Sequence, residues 1–148
     1  MKFLLLFFLP FCLLGQTDTP IKEVDWLKNY DSAMHISKEE NKNVLVYFTG
    51  SDWCPPCKML KRDLFDTDEF YELSKNYVLL YIDIPRNRDL LSTEQWEHNQ
   101  VLLKKLNKKG VFPLLTILSP KGKVVNEYSG YGMTGEVSYH LKFLEKNK

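Results

Sequence analysis

Val46–Lys58 reads VYFTGSDWCPPCK, and the rest of the chain is best read outward from it. The residues leading in, Asn43–Thr49 (NVLVYFT), are β-branched and aromatic and apolar almost throughout, as a strand covered on both faces would be. Gly50-Ser51-Asp52 breaks that strand, and a helix is expected from about Cys54 to about Leu64. Cys54 then falls at a helix N-terminus, where unpaired backbone N–H groups and the helix dipole favour an anion. Such a site lowers the pKa of a thiol, and the thiolate is the species that attacks a disulfide. Cys57 lies three positions on, one turn away on the same face. One sulfur can therefore attack a substrate disulfide while the other resolves the mixed disulfide. Pro55 and Pro56 occupy the first turn, where their missing N–H groups cost no intrahelical bond. Trp53 offers a flat apolar surface beside the first cysteine.

The flanks read as an alternation of helices and strands. A helix is expected over Asp31–Asn41, with Ala33, Met34, Ile36 and Ser37 on one face. Asp66 and Glu69 stand at capping-box spacing ahead of a helix over Phe70–Asn76. Tyr77–Ile84 (YVLLYIDI) reads as a second buried strand, followed by a charged loop, Pro85–Leu91, placed at a sheet edge. Ser92 and Gln95 stand at cap spacing for a helix to Asn107, with Trp96, Val101, Leu102 and Leu106 as inner positions. Pro113 precedes a hairpin of Leu114–Leu118 and Lys123–Tyr128 about a turn at Ser119–Gly122. A last helix is expected over Gly135–Glu145, after a short extended start at Ile21–Trp26. Strands alternating with helices and closed by a hairpin imply one α/β domain of three layers, α/β/α, about a central mixed sheet.

Composition excludes several classes. The 148 residues are 44% hydrophobic and 14% aromatic, with 20 Lys+Arg against 19 Asp+Glu, so disorder is not expected and no basic surplus marks a nucleic-acid binder. Met1–Leu14 (MKFLLLFFLPFCLL) combines one lysine with a short apolar run, and polar residues follow Gly15. That pattern predicts a signal peptide over 1–15, a domain over 16–148 and an extracytoplasmic destination, periplasmic or secreted. Cleavage removes Cys12 and Lys2, leaving Cys54 and Cys57 as the remaining cysteines and the basic and acidic residues equal in number. A disulfide across so short a ring removes little unfolded-chain entropy, so this pair suits switching better than stapling.

The run Val46–Lys58, the element order and a proline about 56 residues after Cys57 resemble the thioredoxin superfamily, in particular its exported members with a WCPPC turn. The resemblance implies a thioredoxin fold and thiol–disulfide oxidoreductase chemistry, with Cys54 as exposed nucleophile and Cys57 as resolving thiol. It implies that Pro113 is cis and lies against the cysteine pair, that Phe112 offers its backbone to a substrate chain, and that Gly130 lines the same groove with Trp53, Pro55 and Pro56. No cofactor and no metal is expected. The partners implied are disulfide-bearing exported proteins and a thiol–disulfide electron-exchange protein, a membrane-embedded one being a candidate, around a monomer. The two prolines between the cysteines resemble those of reducing members, which favours a reductase.

The chain departs from the family at the proton relay. Allowing one inserted residue in the Gly50-Ser51 turn, the family's buried acid falls at Tyr47 and its lysine at Leu79. Asp52, Tyr47, Tyr81 or a water is left to serve. Two other functions stay open: copper or zinc held by the cysteine pair, although His35, His98 and His140 are scattered, and a redox-inactive binding module. The glycines of Gly130–Gly135 satisfy G-x-G-x-x-G, but no strand follows to build a dinucleotide site. The Lys104-Lys105 and Lys108-Lys109 pairs fit the solvated end of a helix.

Overall fold

The computed structural model describes residues 23–148; the expected leader and the first residues of the extended start lie outside them. β1 (Asn43–Thr49) is central, paired in parallel with β2 (Tyr77–Asp83) and antiparallel with β3 (Leu114–Leu118), which pairs antiparallel with β4 (Val124–Ser129). The order β2-β1-β3-β4 makes a four-stranded mixed sheet. The described part of the extended start, 23–26, forms no strand; Leu27, just beyond it, makes a single parallel bridge to Leu80 of β2.

Because strand side chains alternate, each strand feeds two cores. Leu45, Tyr47, Leu79, Leu115 and Ile117 face α2 (Pro55–Leu60), α3 (Asp68–Ser74) and α5 (Ser138–Lys146). Val44, Val46, Phe48, Leu80 and Ile82 face α1 (Tyr30–Glu40) and α4 (Thr93–Leu106). These are the three layers expected, and strands β1, β2 and β3 fall where their apolar runs place them.

Four local expectations are corrected. The helix after Cys54 ends at Leu60 and passes into a π-helical turn, Lys61–Phe65. The cap of α3 is Thr67, whose hydroxyl accepts from Phe70 N–H at 3.2 Å, not Asp66. α5 begins at Ser138 rather than Gly135, because Gly130 and Gly135 adopt positive φ and keep the intervening loop out of helix. Val101 is 62% exposed: the inner line of α4 is Asn99, Leu102 and Leu106, and Val101 lies off it. Asn99 holds a core position because its amide donates to Asp83 C=O at 2.8 Å. At the other end of α4, Ser92 caps Gln95 N–H as its spacing implies.

Candidate active site

β1 ends at Thr49, and Gly50 turns the chain by accepting from Trp53 N–H (3.2 Å) and Cys54 N–H (2.9 Å). Cys54 is the N-cap of α2 in extended conformation, with Pro55 and Pro56 in the first turn. Cys54 and Cys57 form a disulfide, Cα atoms 5.3 Å apart, and Cys57 N–H points at Cys54 Sγ at 3.3 Å. That contact is the unpaired-donor environment read from the spacing. The exposure expected of Cys54 is not found: Cys54 is 2% and Cys57 1% exposed in this oxidised state. Both belong to the core cluster against which Trp53, Phe112 and Tyr131 pack.

Trp53 is held from several sides. Its indole N–H donates to Ile84 C=O at 2.8 Å, Phe112 meets it edge-on at 5.2 Å, and Arg86 stacks over it at 4.9 Å. The ring lies across Gly50, where a Cβ would sit 2.3 Å from Trp53 Cε2. The two residues before it lace the same turn to the end of β2. Ser51 donates its N–H (2.8 Å) and its hydroxyl to the Asp83 carboxylate. Asp52 accepts from Arg86 N–H (3.0 Å) and Asn87 N–H (2.9 Å), which hold its carboxyl below the usual range, Asn87 contributing most. The charged loop does lie at a sheet edge, and that edge borders the cysteines.

The Phe112–Pro113 peptide is cis, as the resemblance implies. Pro113 C=O accepts from Gly130 N–H at 2.9 Å, and Gly130, at φ +88°, is tied at its own carbonyl to His140 Nε2–H at 3.1 Å. Tyr131 then crosses to the helical side, its hydroxyl donating to Asp63 in the π-helical turn. Trp53 and Phe112 thus pack on the cluster that holds the cystine, Pro113 and Gly130 are bonded to each other, and Pro55 and Pro56 form the first turn of α2.

Beneath Cys57, Tyr47 donates its hydroxyl to the Cys57 carbonyl at 3.0 Å, and burial pushes the Tyr47 phenol well up. The residue paired with Tyr47 across the strands is Tyr81, pushed up to about 12, mainly by burial. Leu79, expected to mark the family's lysine position, pairs with Leu45 one pleat away. A pocket of about 90 Å³ opens beside Cys57, walled by Tyr47, Thr49, Ser51 and Tyr81 with the exposed Lys58 and Lys61 on its helical side.

The histidines sit apart: His35 is exposed beside Glu39, His98 accepts from Tyr30 N–H, and His140 is buried. Among the described residues no three His, Cys, Asp or Glu side chains converge as a metal cluster. No helix of the described residues is long and apolar enough to cross a membrane.

Residues 25–120 match the sequence profile of the Thioredoxin-like family. The chain belongs to that family. It is 29% identical over 97 residues to the disulfide bond reductase DsbH of Chlamydia pneumoniae, over 65% of this chain and 57% of that protein. The chain therefore spans little more than half the length of that relative. A solved DsbH oxidoreductase superposes with a TM-score of 0.73 at 26% identity, over 90% of this chain and 94% of that one. A thioredoxin of Thermus thermophilus matches with a TM-score of 0.62 at 18% identity, over 84% and 87% of the two chains, which shows the fold alone.

Several residues around this thioredoxin-like site were not singled out from sequence, Asp83, Arg86, Asp63 and Tyr131, and His140 was weighed only as a scattered metal ligand. Asp83 had a signal, as the acid ending an otherwise apolar strand, YVLLYID. The others join the contacts around the site, Arg86 over Trp53 and Asp63 with Tyr131, only through the tertiary fold.

Proposed function

We propose that this protein is a thiol–disulfide oxidoreductase that reduces disulfides of exported proteins, Cys54 attacking and Cys57 resolving. The observation that carries it is the Cys54–Cys57 disulfide at the start of α2, in the cluster on which Trp53 and Phe112 pack. In the forward reaction the Cys54 thiolate attacks a substrate disulfide and expels one substrate thiolate. The Cys57 thiolate then attacks Cys54 Sγ, forming the disulfide seen here and releasing the second substrate sulfur. The substrate gains two electrons and the protein dithiol loses them. A further thiol protein must return them, and a membrane-embedded one is a candidate.

The direction is supported by the reductase named among the relatives and by the two prolines inside the motif. Export rests on the Met1–Gly15 leader, which leaves residues 16–148 as the working domain. Equilibrating the protein from Gln16 onward with glutathione tests the reading. A reductase should poise near thioredoxin, at about −270 mV, whereas a value near about −120 mV marks a disulfide donor and overturns the direction. In the same preparation Cys57→Ser should accumulate mixed disulfides on Cys54. A folded variant that traps none removes the role assignment.

A further inference from the structure

Cys57 is buried and must give up a proton before its sulfur can attack, because the thiolate is the nucleophile. Tyr47, which stands where the family's acid is expected, cannot take that proton. Its hydroxyl donates to the Cys57 carbonyl, and burial keeps the phenol protonated.

A different acid lies on the same side of the sheet. Tyr47 pairs with Tyr81 and Thr49 with Asp83, so by alternation the side chains of Tyr47, Thr49, Tyr81 and Asp83 share one face. Asp83 is the only buried carboxylate among the described residues, 7% exposed, and it forms no ion pair among them. Its two oxygens accept from Ser51 N–H and from the Ser51 hydroxyl. Ser51 in turn walls the 90 Å³ pocket into which Cys57 also opens. A single water needs roughly 10–15 Å³ of such space, so water can stand between the thiol and the hydroxyl.

We propose that Asp83 is the proton acceptor for Cys57, reached through water in this pocket and the Ser51 hydroxyl. The proposal rests on the oxidoreductase reading and names the group that serves its second step. The Cys57 S–H proton passes to water, water protonates Ser51 Oγ, and the original Ser51 hydroxyl proton moves to Asp83 Oδ2. The Cys57 thiolate then closes the disulfide with Cys54 and expels the substrate sulfur as a thiolate. Ser51 ends as it began, and Asp83 returns its proton to solvent after release. The other titratable groups lining this path are Tyr47 and Tyr81 on the sheet and Lys58 and Lys61 on the helical side, and Asp52 and Arg86 belong to the laced turns next to Ser51. The Asp52 carboxylate is taken up by the backbone N–H groups of Arg86 and Asn87. The α4 side contributes Asn99, bonded to the Asp83 carbonyl and not its carboxylate.

The test is stopped-flow oxidation of the reduced protein by excess of an aromatic disulfide that releases coloured thionitrobenzoate. The first release, by Cys54, scales with reagent concentration; the second, by Cys57, does not. With Asp83 as acceptor the second phase in the wild type should depend little on pH around neutrality. Asp83→Asn, which preserves shape, should slow that phase at least about tenfold near neutrality. The rate of that phase should then rise steeply with pH, as proton removal falls to hydroxide and buffer, while the first phase keeps its rate. Ser51→Ala, which keeps the backbone bond to Asp83, should change the second phase in the same direction. It carries the test alone if Asp83→Asn does not fold. A folded Asp83→Asn with a flat profile at wild-type rate overturns the proposal. So does equal slowing of both phases with no change in pH profile, which marks a structural role only. If the wild type releases no colour at all, the oxidoreductase reading itself fails and the proposal with it.

Discussion

Replacing Gly50 by Ala is the sharpest test of how the active-site turn is held. No positive φ forces glycine there; the Trp53 ring does. An added Cβ would stand 2.3 Å from Trp53 Cε2, 2.4 Å from Nε1 and 2.7 Å from Cζ2, distances that no relaxation of a few tenths relieves. The indole must therefore leave its position and surrender three interactions. The hydrogen bond to Ile84 C=O contributes about 0.5–1.5 kcal/mol, the edge-on contact with Phe112 about 0.5–1.5, and the exposed Arg86 stack about 0.5–1. Against that loss, alanine restricts the unfolded chain and returns about 0.4–1 kcal/mol. The net expectation is a loss of about 1–3 kcal/mol, or on the order of 3–10 °C in Tm for a domain of this size. Thermal unfolding of the oxidised protein followed by circular dichroism reads it, in a double-mutant cycle with Trp53→Ala. With the ring removed, Gly50→Ala should cost nothing or stabilise slightly, because its penalty is wholly coupled to Trp53. An equal loss in both backgrounds would falsify the reasoning, and so would no loss in the wild-type background.

His140 carries a pH prediction. Burial holds its imidazole below the ordinary value, with the Gly130 carbonyl pulling weakly the other way, and its Nδ1 is buried without a partner. The unfolded chain therefore binds the proton first. Stability is full above the unfolded value of about 6.5 and falls as pH drops from there toward the folded one. Denaturant titrations between about pH 6.5 and pH 5 should show this loss, and His140→Gln should flatten it; an unchanged slope removes His140 as its source. Asp52→Ala strips the acceptor from Arg86 and Asn87, so native-state hydrogen exchange of those two amides should quicken while strand β1 amides stay protected. Exchange of both at the wild-type rate would mean that the Asp52 carboxylate does not hold this loop.

What was legible in the sequence followed from period and spacing. NVLVYFT and YVLLYID read as buried strands because each feeds two cores, and Ser92 with Gln95 marks the α4 start because that cap needs only local chemistry. The α3 cap was misplaced because Asp66-Thr67-Asp68 offers adjacent capping residues, and the choice between them is made by how Phe70 enters the core. Val101 was misassigned for a related reason. The inner position that looked polar, Asn99, is satisfied by a carbonyl of a distant strand, which no helical periodicity reveals.

The cysteine pair was readable from six residues, but its surroundings were not, because they come from the far end of β2. Ser51 reaches Asp83, Asp52 reaches Arg86 and Asn87, and Trp53 reaches Ile84: three consecutive residues before Cys54, each bonded across about 31–35 positions of chain. Ser51 and Asp52 are polar residues in a turn, which explains such residues locally without a partner, and Trp53 reads as a flat apolar surface beside the cysteine. Their common destination is visible only once β1 and β2 lie side by side in parallel, which brings both C-terminal ends to one edge. That edge fixes Trp53 over Gly50 and brings the buried Asp83 carboxylate to Ser51, which walls the pocket beside Cys57. A chain lacking an acid at Tyr47 is therefore not lacking one at the site: the parallel pairing carries Asp83 there from the neighbouring strand.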